Sequence, residues 1–380
     1  MKITIVLGAF VPVPPIMGGA VEKVWFALGQ EFARRGHEVV QISRMHSDLP
    51  QAEDIEGVKH IRIPGFSQPR SMVWLKFLDL IYSWRARRAL AKADILVTNT
   101  FWLPLLIRRS HCGLLYVHVA RGPKGQMRWY GHAARLQAVS RAIADAIVAE
   151  APQLREKVRV IPNALLFRPE ENSITTQTKT ILYVGRIHPE KGLELFLRAL
   201  SLLPNELKTK WKIKIVGSHQ IQHGGGGEDF LRKLQEIGDR SGANIEWTGP
   251  IFDEKKLSAE YRSAMLFVYP SIAETGEALP VAPLEAMAQG CAPLVSNLLC
   301  FRDYIEDGVT GFIFDHRGEN PEKKLADRLG AVLQLDASTL LQVGGSARAK
   351  AAEFALEPVA QRYLDDFASL LATGFVWPNL

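Results

Sequence analysis

Cysteine is scarce in this chain of 380 residues, which has only Cys112, Cys291 and Cys300. Their spacing fits neither a metal knuckle nor a redox pair, and an odd, sparse set suits a reducing compartment better than a disulfide-held secreted domain. Long apolar runs are missing too. None reaches the ~18 residues of a membrane span, and the best stretch, residues 72–84, is interrupted by Lys76 and Asp79. The N-terminus, MKITIVLGAF, lacks the extended apolar centre and the A-x-A site of a signal peptide, so it reads as a buried first strand. The loop after that strand is not G-x-G-x-x-G, which argues against a nicotinamide-dinucleotide enzyme. The run Gly224–Gly227 lacks the Lys-Ser/Thr of a phosphate-binding P-loop and reads as a flexible loop that could close over a ligand. No zinc-finger or aromatic RNP pattern occurs, so nucleic acid is not expected as a partner.

What is present is ordinary globular material, 47% hydrophobic and 23% charged, in a chain long enough that two domains are the natural expectation. The net charge of +6 is unevenly spread. Residues 1–165 carry 23 Lys and Arg against 12 Asp and Glu, and residues 166–380 carry 23 against 28. A basic first half points to an anionic partner, either a membrane surface or a charged acceptor. Residues 66–92, FSQPRSMVWLKFLDLIYSWRARRALAK, mix aromatics with Arg70, Lys76, Arg85, Arg87, Arg88 and Lys92. They suit a basic amphipathic helix lying on a bilayer, or an ordinary helix with a solvated basic face. The loop 121–135 repeats that mixture with Lys124, Arg128, Trp129 and Tyr130.

Apolar strands alternate with helices of 3.6-residue period from the N-terminus to about residue 165, which predicts a parallel α/β sheet. The polar, aperiodic stretch 167–180 predicts a boundary, after which a second α/β series opens with TILYVG. The last segment, ALEPVAQRYLDDFASLLA, predicts a helix beyond the second sheet.

Within this pattern a few residues carry chemistry. Glu277 and Glu285 are separated by seven residues in AETGEALPVAPLEAMAQG. Glu277 falls in the loop before a helix, LEAMAQ, and Glu285 in that helix's first turns. A helix N-terminus attracts anions, so the arrangement suits a sugar phosphate, with hydroxyls on the acid and phosphate on the amides. It equally suits a helix-end acid beside a solvated loop acid. Arg186 and Lys191 flank a loop just ahead of another helix, where cations oppose the dipole unless an anion sits between them. Gly18 and Gly19 precede the first helix, where their amides could meet a ligand outside the strand ends or simply make a turn. His118 ends a strand, on the side where open α/β sheets keep their ligands.

Taken in order, Gly18-Gly19, His118, VIPNA, VGRIHPEKG and EALPVAPLEAMAQG resemble the family 4 retaining glycosyltransferases of the GT-B fold along nearly the whole chain. The resemblance implies two Rossmann-like domains with parallel sheets facing across a cleft. These are an acceptor-side domain at 1–166, a nucleotide-sugar domain at 167–356, and a helix at 357–380 that crosses back to the first. It implies that Arg186 and Lys191 hold the donor diphosphate, that Glu285 binds the ribose, and that Glu277 lies at the donor sugar with Leu279, Pro280 and Val281 contacting sugar or phosphate. Gly19, with Gly18, approaches the donor from the first domain, and His118 meets the sugar near the reacting carbon. The expected activity is hexosyl transfer from a nucleoside-diphosphate sugar, UDP before GDP, to a glycan or lipid-linked hydroxyl in lipopolysaccharide or surface polysaccharide synthesis. The nucleotide sugar is then a co-substrate, and no metal or other cofactor is expected. The location expected is cytoplasmic, peripheral on the inner face of the membrane. Alternatives are a sugar-nucleotide epimerase or phosphorylase on the same scaffold, or a non-catalytic membrane-surface module. Three departures from the family pattern stand out: Ala278-Leu279-Pro280 in place of Gly-Phe-Gly, Ala164 after Asn163, and the long glycine-rich loop after Gly217. Pro280 has no N–H, so one backbone contact to the donor must be missing or moved.

Overall fold

The computed structural model describes residues 1–69, 71–107, 112–167 and 177–372. The chain forms two compact units, Met1–Leu166 with Phe354–Leu380, and Phe167–Glu353. Re-entry into the first unit thus begins at Phe354, ahead of residue 357. Most of the polar stretch expected as a linker, with Arg70, lies outside the described residues, and its last residues, from Thr178, already belong to a strand.

The first unit is built on β1 (Lys2–Val6), β2 (Glu38–Arg44), β3 (Ala52–Ile55), β4 (Val58–Ile63), β5 (Ile95–Thr98), β6 (Leu114–Val119), β7 (Arg135–Ala138) and β8 (Val158–Val160). They form one sheet in the order β3-β4-β2-β1-β5-β6-β7-β8. Only β3 runs antiparallel, paired with β4 through a turn in which Glu56 and Gly57 both have positive φ. Its sequence, AEDI, is too short and too polar to show a strand period, and it was not anticipated. The central strands read as continuous apolar runs because helices cover both faces; β5 is buried at every position.

The helices Ala20–Arg34 and Leu356–Ala372 share one core, in which Trp25, Leu28 and Phe32 interlock with Val359, Tyr363 and Phe367. The rings of Trp25 and Tyr363 lie 5.1 Å apart, and those of Phe32 and Phe367 6.0 Å. The C-terminal helix is therefore an integral layer of the first unit. A buried polar contact fixes its register. Arg135 on β7 donates to both oxygens of Asp366, at 2.7 and 3.0 Å, and the Tyr116 hydroxyl donates to the same carboxylate at 3.0 Å.

The second unit is built on β9 (Thr178–Val184), β10 (Lys212–Val216), β11 (Asn244–Gly249), β12 (Ala264–Tyr269), β13 (Ala292–Ser296) and β14 (Phe312–Phe314). All pairings are parallel, in the order β11-β10-β9-β12-β13-β14. The strand order reverses between β9 and β12, and the crevice at such a reversal is where doubly wound sheets bind nucleotides. Gly192, with φ 71°, starts the helix Leu193–Ser201 so close to β12 that an added Cβ would lie 1.9 Å from the Pro270 carbonyl oxygen. The helices Pro321–Leu333 and Ala337–Ala352 complete the unit and were not anticipated.

Removing one partner of a buried, hydrogen-bonded ion pair strands the other, at a cost of about 3–5 kcal/mol. Asp366→Ala is therefore expected to lower the urea midpoint of the first unit by that amount of stability while leaving the second unit's unfolding unchanged. Unfolding followed by hydrogen exchange of the two sheets separates these outcomes.

Candidate active site

In the second unit the expected donor residues collect on the connections that leave the C-terminal ends of β9 and β12. After β9 the chain runs through Arg186 and a short 3-10 turn, Pro189–Lys191, before Gly192. After β12 it runs through Ser271 and Glu277 into the helix Val281–Ala288. The two connections meet in a buried ion pair. The Lys191 ammonium donates to Glu277 Oε1, and both side chains are under 10% exposed. The Tyr269 hydroxyl lies 3.1 Å and the Ser271 hydroxyl 2.9 Å from the same oxygen. Burial and the neighbouring Glu277 push the Tyr269 phenol well above its ordinary pKa, so it stays a donor. Three donors thus converge on Oε1, and Oε2 has no protein partner among the described residues. That second oxygen is an acceptor poised for a hydroxyl.

Arg186 donates to Glu190 Oε1 at 2.8 Å and to the Gly224 carbonyl at 2.8 Å. The reading that these cations need an external anion is therefore corrected: Glu190 and Glu277 already oppose the charge of Arg186 and Lys191. A second correction concerns Gly224–Gly227. Rather than a flexible loop, the run is held by backbone bonds from Gly225 to Gln220, Gly226 to Ile187 and Gly227 to His219, at 2.8–2.9 Å. An added Cβ at Gly225 would lie 2.2 Å from the His219 backbone. These glycines permit close approach of backbone, which sequence alone does not distinguish from mobility.

The helix carrying Glu285 starts at Val281, three residues before the expected LEAMAQ. Pro283 is accommodated because a first-turn residue has no intrahelical N–H partner to lose. Of the first three helical positions only Val281 and Ala282 then keep an N–H. Pro280 is the N-cap, with its carbonyl 3.3 Å from the Tyr304 hydroxyl, and Leu279 is buried. Glu285 accepts from Tyr261 at 2.9 Å.

In the first unit, Gly18 and Gly19 have φ of 82° and 95° and Gly19 caps the helix Ala20–Arg34. His118 sits near the end of β6, buried, with its ring edge-on to Trp25 at 5.3 Å. Gln137 donates its amide N–H to the Ile161 carbonyl, which turns Oε1 toward His118 Nδ1. Nδ1 is then the protonated nitrogen, and Nε2 is a buried acceptor without a partner among the described residues. Burial lowers the imidazole pKa to about 4, against a smaller raising effect of Gln137, so the ring is neutral.

Several residues here were not singled out from sequence: Tyr269, Ser271, Tyr261, Gln137 and Glu22. The last had a readable signal, an acid three residues after a glycine cap. Its carboxylate folds back toward the helix start, where a Cβ on Gly19 would lie 2.3 Å from it. Burial raises its pKa, with smaller lowering contributions from its own backbone N–H and from the charge of Arg121.

The buried neutral His118 gives a pH signature. Unfolded, the ring takes up a proton near 6.5; folded, near 4. Between these values the unfolded state binds more protons, so stability falls as pH drops through that window. His60, also lowered to about 4 by burial, adds to the slope. His118→Gln is expected to flatten the loss of stability between about pH 7 and about pH 5, measured by urea denaturation at each pH.

Comparison with known proteins bears on the family and the fold. Residues 17–165 match the model of Glycosyltransferase Family 4, and residues 167–348 that of Glycosyl transferases group 1. A lipopolysaccharide 1,2-N-acetylglucosaminetransferase of Salmonella typhimurium is 28% identical over 165 residues, covering 41% of this chain and 42% of that one. An O-antigen chain mannosyltransferase B of Escherichia coli is 35% identical, covering 33% of this chain and 30% of that one. The match thus spans less than half the length of either relative. An uncharacterized glycosyltransferase of Methanocaldococcus jannaschii is 25% identical, covering 82% and 84%. Sucrose-phosphate synthase from Thermosynechococcus elongatus superposes with a TM-score of 0.74 at 18% identity, covering 98% and 100%. Anabaena HepE, solved with UDP and glucose, gives 0.68 at 18%, covering 97% and 100%. At such identities these structures establish the fold. The two consecutive family matches, the reversed strand order in each sheet and the C-terminal helix returned to the first unit together show that the chain belongs to the family 4 glycosyltransferases of the GT-B fold.

Proposed function

We propose that the protein transfers a hexose from a nucleoside-diphosphate sugar, a UDP-sugar in preference to a GDP-sugar, to a hydroxyl of a glycan or lipid-linked acceptor. The anomeric configuration is retained and no divalent metal takes part. The observation that carries this reading is the meeting of Arg186, Lys191 and Glu277 at the β9/β12 reversal, beside the open N-terminus of the helix that holds Glu285. Lys191 has three N–H donors and Glu277 takes one. The remainder, with Arg186 and the Val281 and Ala282 amides, suit the diphosphate, while Glu277 Oε2 and Glu285 suit hydroxyls of sugar and ribose. The names of the Salmonella typhimurium and Escherichia coli relatives support a role in synthesis of lipopolysaccharide or another surface polysaccharide. It also supports a cytoplasmic enzyme whose basic first half meets an anionic membrane surface. No described helix is long and apolar enough to cross a membrane.

In the step itself the bond from the anomeric carbon to the β-phosphate oxygen breaks, and its electron pair stays with the diphosphate. The acceptor oxygen forms its bond on the same face, and its proton passes to the departing phosphate oxygen. Cations and amides arranged on the leaving group before reaction supply several kcal/mol of stabilisation as its charge develops. His118 Nε2, as a neutral acceptor, suits a sugar hydroxyl.

Loss of one charge-assisted hydrogen bond costs about 1.5–3 kcal/mol, or about tenfold or more in affinity. Lys191→Ala and Glu285→Ala are each expected to weaken nucleotide-sugar binding by that factor, measured as the shift in melting temperature across UDP, GDP and ADP sugars. Unchanged shifts in both variants would remove the donor-site assignment. A chelator is expected to leave turnover unchanged, and an inverted product anomer by NMR would exclude the mechanism.

A further inference from the structure

His118 is held from two sides, and only one of them is a hydrogen bond. Gln137 stands beside it in register on β7 and takes the Nδ1 proton. That bond selects the tautomer, but one bond does not set the tilt of the ring. The other side is Trp25, on the helix Ala20–Arg34, whose indole meets the imidazole at 5.3 Å with the ring planes 82° apart. Edge-to-face contact of this kind has a preferred geometry, so it resists tilting.

Trp25 is fully buried, and its indole N–H has no partner among the described residues. A buried indole ordinarily finds one. This ring is therefore placed by packing, and it packs on the C-terminal helix. Tyr363 lies 5.1 Å from Trp25 with the planes 59° apart. It too is fully buried, and its hydroxyl has no partner among the described residues. Behind Trp25, Tyr363 leans on Tyr116 at 6.1 Å and Phe367 at 6.0 Å. Tyr116 precedes His118 by two residues on β6 and so shares its face of the sheet. Asp366, about one helical turn beyond Tyr363, holds Tyr116 and Arg135. The ladder of β6 and β7 pairs Tyr116 with Arg135 and then His118 with Gln137. The C-terminal helix thus reaches the first of these rungs directly, through Asp366, and the second through Tyr363 and Trp25.

We propose that Trp25 and Tyr363 are positioning residues for His118. The indole sets the tilt of the imidazole and the phenol ring sets the indole, so that Nε2 is held on a hydroxyl of the transferred sugar. The C-terminal helix then supports the active site, although Tyr363 itself touches no substrate. This rests on the reading of His118 as an acceptor for a sugar hydroxyl. Leucine at either position fills much of the space and removes the flat wall, whereas phenylalanine keeps the wall. Neither the indole N–H nor the phenol O–H is asked to bond, so their loss is tolerated.

The test compares Trp25→Leu and Tyr363→Leu with Trp25→Phe and Tyr363→Phe. The probes are UDP with UDP-glucose or UDP-N-acetylglucosamine, and GDP with GDP-mannose. The pair used is the one whose sugar form raises the wild-type melting temperature further than the nucleotide alone. The leucine variants are expected to keep the shift given by the nucleotide and to lose the extra shift given by the sugar. Their kcat/KM for nucleotide release should fall by about tenfold to a hundredfold, since displacement by about 1 Å suffices for that. The imidazole proton resonances of His118, in contact with indole protons in the wild type, should broaden in the leucine variants. The phenylalanine variants should match the wild type throughout. Leucine variants with wild-type sugar response and turnover would overturn the proposal. So would loss of the nucleotide and sugar responses together, which marks a merely structural role. Wild-type spectra without the indole–imidazole contact would overturn it with no variant needed. His118→Ala separates the two readings. If it keeps the sugar response and turnover, or if no sugar form exceeds its nucleotide in the wild type, the sugar contact of His118 falls and the proposal with it. If it loses both while the leucine variants keep them, only the positioning falls.

Discussion

The ion pair between Lys191 and Glu277 is the constraint on which the second unit's ligand edge depends. Each residue belongs to a loop that leaves a different strand, and the strands are neighbours only because the sheet order reverses between β9 and β12. A buried pair of this kind is costly to desolvate, and it is tolerated when further hydrogen bonds satisfy the charges. Tyr269 and Ser271, from the end of β12 and just beyond it, provide them. The result is a carboxylate with one oxygen immobilised and the other open, beside an ammonium with donors to spare. The proposed donor, a diphosphate joined to a sugar, calls for these two features side by side.

Around that pair, close backbone approach replaces side-chain bulk. Gly192 lets the helix Leu193–Ser201 begin against Pro270, and Gly225 to Gly227 fold their amides back onto residues 187–220. Arg186 reaches the Gly224 carbonyl and so ties the β9 loop to the β10 loop. The charged groups are therefore fixed before any ligand arrives, which is the condition under which electrostatic stabilisation costs no reorganisation.

The first unit solves a different problem with the same means. In it, buried polar groups are spent on geometry. Gln137 sets the His118 tautomer, Asp79 holds the loop after β5, and Asp366 fastens the C-terminal helix to β7 and, through Tyr116, to β6. In each case a buried polar group finds its partner on a distant segment, since an unpaired one would cost about 1–3 kcal/mol. Using the inner face of Met72–Ala89 in this way is what leaves its aromatic residues outside.

Much of this was legible in the sequence because it is local. Apolar runs of four to seven residues separated by helical periods gave the alternation of β and α, and the order of VGRIHPEKG and EALPVAPLEAMAQG gave the family and the residues that meet beyond the ends of β9 and β12. Local signals failed where the deciding contact was remote. AEDI became a strand only because β4 offered an edge. Four glycines looked flexible until their amides were seen to be bonded, and two cations looked unpaired until carboxylates met them, Glu277 from a loop 86 residues away. Which face of residues 72–89 turns inward could not be read either, since apolar residues occur around much of that helix and the choice is made by hydrogen bonds to Phe101 and Trp102. The sequence by itself determined the kind of element at each stretch and the chemistry available in it. Tertiary structure alone decided which charges are paired, which nitrogen of His118 is protonated and which apolar surface stays exposed, because each depends on partners that the chain brings together only on folding.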